Sequence, residues 1–360
     1  MNLNLTEQQA NWKERAGAFA ADVLRPRWEG FEADNQLLRD AIERARAAGL
    51  LDAYLPEEFG GVGLDLVTTA LIVEELSRGE GGAGVLLANR HACYAAARLS
   101  PNSDFGRKVM QALTSAESCT ASILLWPDEE EESAPIERAR GAGRELCGVQ
   151  AVSLAQPDTN AFVGWSARGG IDGSKRIGFF VSTKAGSVDL RPVNNFGLHS
   201  LAFHEMSFVK GIDDADAVFE FKSADQFDHF RLQLAAERDV LASAVVLGIA
   251  GAAFDYALNY SRERMTFGKP INQHQAVALR LADMATALES ARLMLWEAAH
   301  MVQQSTELGR VRDAWIYARD VAIEVAINAV QTLGGHGYLK LHPVEKWMRD
   351  VEFMSLLHAE

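Results

Sequence analysis

Cysteine is scarce in this chain: Cys93, Cys119 and Cys147 are the only three in 360 residues. An odd number, at spacings that fit no metal site, argues against a disulfide framework or a zinc module and for a reducing, cytosolic compartment. Basic residues are in deficit too, with 35 Lys and Arg against 49 Asp and Glu, a formal net charge of -14. That balance argues against a general nucleic-acid binder, which needs a basic face. A few well-placed arginines can still hold an anionic ligand. No run of 18 consecutive apolar residues is found, so no membrane span is expected, and the opening "MNLNLTEQQANWKERAG" lacks the apolar core of a signal peptide. What remains is an ordinary globular composition, 48% hydrophobic and 23% charged. The length suggests two or three domains and allows a large buried core.

Three textures follow one another along the chain. The first, about residues 1–118, is helical. Thr6 and Gln9 have capping-box spacing, "NQLLRDAIERARAAGLL" is apolar at helical intervals and ends near Gly49, and "PEEFGGVGLD" is a glycine-rich turn. "LVTTALIVEELSRG" is amphipathic, and "GGAGVLLANRHACYAAARL" is apolar enough to be buried on most sides. The second texture, about 119–222, starts at "CTASILLW" and the acidic loop "DEEEE". Short β-type segments follow, with turn residues including Gly169, Gly170, Asp172 and Gly173, so an antiparallel β domain is expected. The third, about 223–360, carries three long helical patterns without internal proline, the last stopped by Gly334-Gly335, which predicts a helical bundle.

Several motifs then narrow the field. Arg264 ends a helix beside Phe267, Gly268 and Pro270, where a guanidinium can pair with a pyrophosphate through two parallel hydrogen bonds. Gly334 and Gly335 let backbone approach a bulky ligand, and Gln331 lies one turn earlier. Taken singly, an arginine at a helix end also serves as a dipole or salt-bridge partner, and a Gly-Gly pair as a C-cap. Their joint order is more specific. "LPEEFGGVGLD" with "IVEELSRG", "SRERMTFGKPINQHQAVALRLADM" and "AVQTLGGHGYLKLHPVEKWMRD" together resemble the signatures of the acyl-CoA dehydrogenase family across both helical domains.

The resemblance implies a fold of N-terminal helices, a middle β domain and a C-terminal four-helix bundle. It implies FAD as cofactor, with Arg264, Phe267, Gln275, Gln331, Gly334 and Gly335 reaching the FAD of a neighbouring subunit. A dimer of dimers, or a heteromer with a related subunit, is therefore expected, with an acyl-CoA substrate and an electron-transferring flavoprotein as acceptor. In the family a base takes the C2 proton of the thioester while C3 gives a hydride to the flavin. The base usually stands eight residues after the aspartate of the "MRD" block, where this chain has His358. Members acting on branched or long acyl chains place it instead on the first bundle helix, as the glutamate of a Glu-Arg pair. Here that pair is Glu237-Arg238, making Glu237 the expected base and Arg238 its substrate-side neighbour.

Two alternatives stay open. His358 can itself be a base near neutral pH, and flavin monooxygenases on this fold use a histidine near the chain end. The chain can also be a partner subunit with an impaired site. The middle segment departs from the family pattern, with Leu125-Trp126-Pro127 before glutamates, and Val152-Ser153-Leu154 where a flavin-covering tryptophan is usual. Those differences are expected to weaken contacts to the flavin ring.

Overall fold

The computed structural model describes residues 4–34, 36–114, 120–123, 136–140, 143–154, 159–169, 175–182, 188–208 and 217–358. Six helices come first: α1 (Glu7–Phe19), α2 (Trp28–Ala33), α3 (Gln36–Ala47), α4 (Leu66–Gly79), α5 (Gly81–Leu99) and α6 (Ser103–Thr114). The capping box at the start of α1 forms in full, Gln9 N–H donating to Thr6 Oγ1 at 3.2 Å and Thr6 N–H to Gln9 Oε1 at 3.0 Å. The chain leaves α1 through one turn of π-helix and a short 3-10 turn at Pro26, a detail the helical pattern does not reveal.

Eight strands follow: β1 (Thr120–Ile123), β2 (Ile136–Arg140), β3 (Gly143–Leu154), β4 (Thr159–Gly169), β5 (Lys175–Ser182), β6 (Val188–Val193), β7 (Phe203–Phe208) and β8 (Ala217–Glu220). They make two four-stranded sheets, ordered β1-β4-β5-β8 and β2-β3-β7-β6. Pairing is antiparallel throughout except that β1 runs parallel to β4. The middle domain is thus antiparallel as expected, with one parallel pair added. A parallel partner is chosen by a long connection, which leaves no local turn signal. The side chains of Cys119, Leu125, Trp126, Pro127 and the acidic loop lie outside the described residues, as do those of Val152, Ser153 and Leu154.

The last part is α7 (Ala224–Glu263), the hairpin β9 (Met265–Thr266) and β10 (Lys269–Pro270), α8 (Gln275–Gln303), α9 (Leu308–Leu333) and α10 (Val344–Leu357). Helix α7, 40 residues and so about 60 Å long, is the axis of the molecule. It packs against α4 and α5 on one side and α8, α9 and α10 on the other. This helix is long and apolar enough to cross a membrane, yet 83% of its most apolar window is buried within the protein, as a core helix requires. Small residues permit the packing. A Cβ at Gly248 would stand 2.3 Å from the Glu74 carbonyl oxygen, so α4 can cross α7 there only over glycine.

Buried charges fix how α10 sits. Lys346, Glu80 and Asp350 are all fully buried, with Lys346 Nζ donating to Asp350 Oδ2 at 2.6 Å and lying 3.1 Å from Glu80 Oε2. Asp350 Oδ1 also accepts the Leu198 N–H at 2.6 Å, and Ser200 donates to Glu80 at 2.7 Å. Removing one member of such a group leaves an uncompensated charge and costs about 3–5 kcal/mol. The network ties α10 to the start of α5 and to the segment before β7, and so sets where the chain places His358, the residue after the helix.

Candidate active site

Helix α7 separates two cavities, and consecutive residues face different ones. A helix turns about 100° per residue, so Glu237 and Arg238 diverge. Arg238, Leu241 and Ala242 line an open cavity with Val85, Ala88, Asn89 and Ala92 of α5, Phe203 of β7, and Met354, Leu357 and His358. Its walls are mostly aliphatic, with polar groups at Arg238, Asn89 and His358. Its lining suits a site that holds an apolar group and fixes one polar end.

His358 is held firmly. Its Nε2 lies 2.6 Å from Asp239 Oδ1, and Asp239 also accepts from Arg312 of α9 at 3.0 Å. The imidazole stands edge-on to the fully buried Trp315, ring centres 4.7 Å apart. Burial lowers its pKa, the bond to Asp239 raises it, and Arg238 and Arg312 lower it again, leaving the net shift downward. At neutral pH the ring is therefore uncharged and can take a proton.

Glu237 turns the other way. It is 4% exposed, and its carboxylate is bound by Arg98 of α5. His91 Nδ1 lies 3.9 Å from its second oxygen. With Leu64, Asp65, Tyr94, Gln233 and Ser305 these residues line a second, more polar cavity. Burial raises the Glu237 carboxyl pKa, and Arg98 opposes that rise. His91 is fully enclosed, and burial with nearby Arg98 drives its pKa down to about 3. Glu237 and His358, the two candidate bases, thus line different cavities.

The six residues expected to hold a dinucleotide sit on the exposed ends of α7, α8 and α9. Arg264 is the C-cap of α7 and makes no side-chain hydrogen bond or ion pair among the described residues. Phe267, in a left-handed conformation beside Gly268, is 97% exposed at the tip of the β9–β10 hairpin. Gln275 opens α8 and is exposed, as are Gln331, Gly334 and Gly335 at the end of α9. Gly334 has φ 59 and ψ -135, a conformation closed to other residues, and nothing lies within 4 Å of where its Cβ would be. The Tyr260 hydroxyl pairs with His336 at 2.8 Å and so joins the end of α7 to this glycine turn. A free guanidinium, bare backbone and exposed Met265, Phe267, Tyr338 and Leu341 fit a phosphate-bearing, aromatic ligand and a covering partner. Trp165 packs edge-on to Phe230, ring centres 5.8 Å apart.

Sequence reasoning missed Asp239, Arg312, Asn89, His91 and Arg98. A signal existed for two sets of them. Asp239 is a charge inside a long apolar helical run, where burial demands a partner. His91, Tyr94 and Arg98 recur at helical spacing on the otherwise apolar α5.

Comparison with known proteins agrees with this architecture. Residues 6–115 match the acyl-CoA dehydrogenase N-terminal domain and residues 227–358 the acyl-CoA dehydrogenase C-terminal domain. The human mitochondrial short-chain specific acyl-CoA dehydrogenase is 30% identical over 88% of this chain and 78% of its own length. An acyl-CoA dehydrogenase of Bacillus subtilis is 27% identical over 98% of this chain and 95% of its own. The structure of butyryl-CoA dehydrogenase from Megasphaera elsdenii superposes with a TM-score of 0.86 at 23% identity, covering 100% of this chain and 96% of that one. The chain belongs to the acyl-CoA dehydrogenase family, FAD-dependent oxidoreductases of acyl-CoA thioesters.

Proposed function

We propose that the chain desaturates an acyl-CoA thioester between C2 and C3, with the acyl group in the apolar cavity and His358 as the base. The observation that carries this reading is the lining of that cavity: aliphatic walls, the polar side chains of Arg238 and Asn89, and a neutral imidazole. An acyl chain gains about 25 cal/mol per Å² of apolar surface it buries there, a gain the polar cavity beside Glu237 offers less of. His358 takes the C2 proton. FAD, held by Arg264, Phe267, Gln275, Gln331, Gly334 and Gly335 of a neighbouring copy, supplies the acceptor for the hydride leaving C3. An electron-transferring flavoprotein is the proposed recipient of the two electrons.

A second reading keeps Glu237 as the base. Its support is the burial that raises the carboxyl pKa toward the working pH. Arg98 has to release it before it can turn toward the acyl cavity.

The test is anaerobic addition of acyl-CoA thioesters, short chains first, to the FAD-loaded protein. Bleaching of the flavin absorbance is expected, lost in His358→Gln and kept in Glu237→Gln. Loss in Glu237→Gln with retention in His358→Gln reverses the choice of base. No bleaching with any chain length overturns the activity.

A further inference from the structure

Asp239 belongs to no motif, yet it makes a short polar contact to a residue that lines the apolar cavity. It is 4% exposed on α7, and its Oδ1 meets both His358 Nε2, at 2.6 Å, and Arg312 Nη1, at 3.0 Å. An ionised carboxylate only accepts hydrogen bonds, so the proton between Asp239 and His358 sits on Nε2. In a neutral ring that leaves the lone pair on Nδ1. Nδ1 has no hydrogen-bond partner among the described residues, and the ring lines the cavity. The T-shaped contact with Trp315 restricts its rotation.

The charges around the ring are balanced. Asp239 favours the imidazolium. Arg238 on the same helix and Arg312 on α9 oppose it, and burial opposes it further. Lys346 and Asp350, the charged pair on α10, are bound to Glu80 and Leu198 and do not contact the ring. The resting histidine is thus kept neutral, while a carboxylate already in contact with Nε2–H stabilises the positive charge that forms when Nδ1 takes a proton.

We infer that Asp239 is a positioning residue for His358: it holds Nε2–H so that Nδ1 is the proton acceptor facing the apolar cavity, and Arg312 anchors it from behind. The inference rests on the reading of His358 as the base. In the step itself the C2–H bond breaks, an N–H bond forms at Nδ1, and the electron pair becomes the C2=C3 bond as hydride leaves C3 for FAD.

Proton transfer can be measured apart from oxidation. A 3-thia-acyl-CoA has no C3 hydrogen to lose, so exchange of its C2 hydrogens with D2O reports abstraction alone. Wild type is expected to exchange, with a rate that falls below the His358 pKa. His358→Gln abolishes exchange. Asp239→Asn, whose amide can donate to Nε2 and so favour the wrong tautomer, lowers it by about 10²–10⁴-fold and moves the acid limb to lower pH. Nitrogen-15 NMR of histidine-labelled wild type, with His358→Gln identifying the signal, is expected to show protonated Nε2 and bare Nδ1; this needs no Asp239 variant to fold. A proton on Nδ1 in wild type, or Asp239→Asn with wild-type exchange and acid limb while His358→Gln is inactive, overturns the positioning role. Wild-type exchange in His358→Gln overturns the base reading instead.

Discussion

The two cavities beside α7 share walls from α5 and α7, and differ in what their charges are bound to. In the apolar cavity the carboxylate of Asp239 stands behind the histidine and its charge is shared with Arg312, leaving one ring nitrogen toward the space. In the polar cavity the carboxylate of Glu237 itself faces the space, and Arg98 occupies it. On the proposed reading the first arrangement presents a base. The second presents an ion pair, with a neutral His91 beside it whose Nδ1, like Gln233 Oε1, has no hydrogen-bond partner among the described residues. A good proton acceptor is thus distinguished from a buried carboxylate by what its partner leaves free.

The sharpest way to break this comparison is to remove each candidate base in turn. His358→Gln is expected to lower kcat/KM for acyl-CoA oxidation by about 10²–10⁴-fold, and Glu237→Gln by only a few-fold. The polar cavity should show itself in stability instead. His91 is neutral when folded, with a pKa near 3 against 6.5 in the free side chain. Its folded pKa is depressed, so the unfolded chain takes up the proton first. Its stabilising contribution is complete above pH 6.5 and is lost as pH falls toward 3. Between pH 6.5 and 4.5 the wild type should lose about 2–3 kcal/mol through this group, and urea unfolding of His91→Gln should show a correspondingly flatter pH dependence. Filling the apolar cavity is a smaller perturbation: Ala92→Leu is expected to raise KM for longer acyl chains about ten-fold without affecting C2 exchange of the shortest. Least of all, Phe267→Ala should change the unfolding free energy of the isolated chain by less than about 0.5 kcal/mol, because the ring is almost wholly exposed. The same variant should weaken FAD retention and self-association, measured by flavin fluorescence and sedimentation.

The helical parts of the fold were legible because their signals are local. The Thr6 cap, the Pro270 turn after Arg264 and the Gly334 stop all act within one turn of helix. The parallel pairing of β1 with β4 was not legible, since it depends on contacts distant in sequence. For the candidate site, the sequence names the residues but not the directions of their side chains. Glu237, Arg238 and Asp239 are consecutive, and helical geometry sends them to an ion pair, a cavity wall and a histidine respectively. Which of these directions faces ligand depends on α5, α9 and α10, and on the buried Lys346 network that fixes the last of them.

The central claim is that the thioester reacts in the apolar cavity, against His358. A crystal structure of the FAD-loaded protein with a bound 3-thia-acyl-CoA tests it most directly. The expected result is a chain lying between Ala88, Ala92 and Leu241, with C2 about 3–3.5 Å from His358 Nδ1. A chain in the polar cavity, or C2 against a Glu237 carboxylate freed from Arg98, would contradict it.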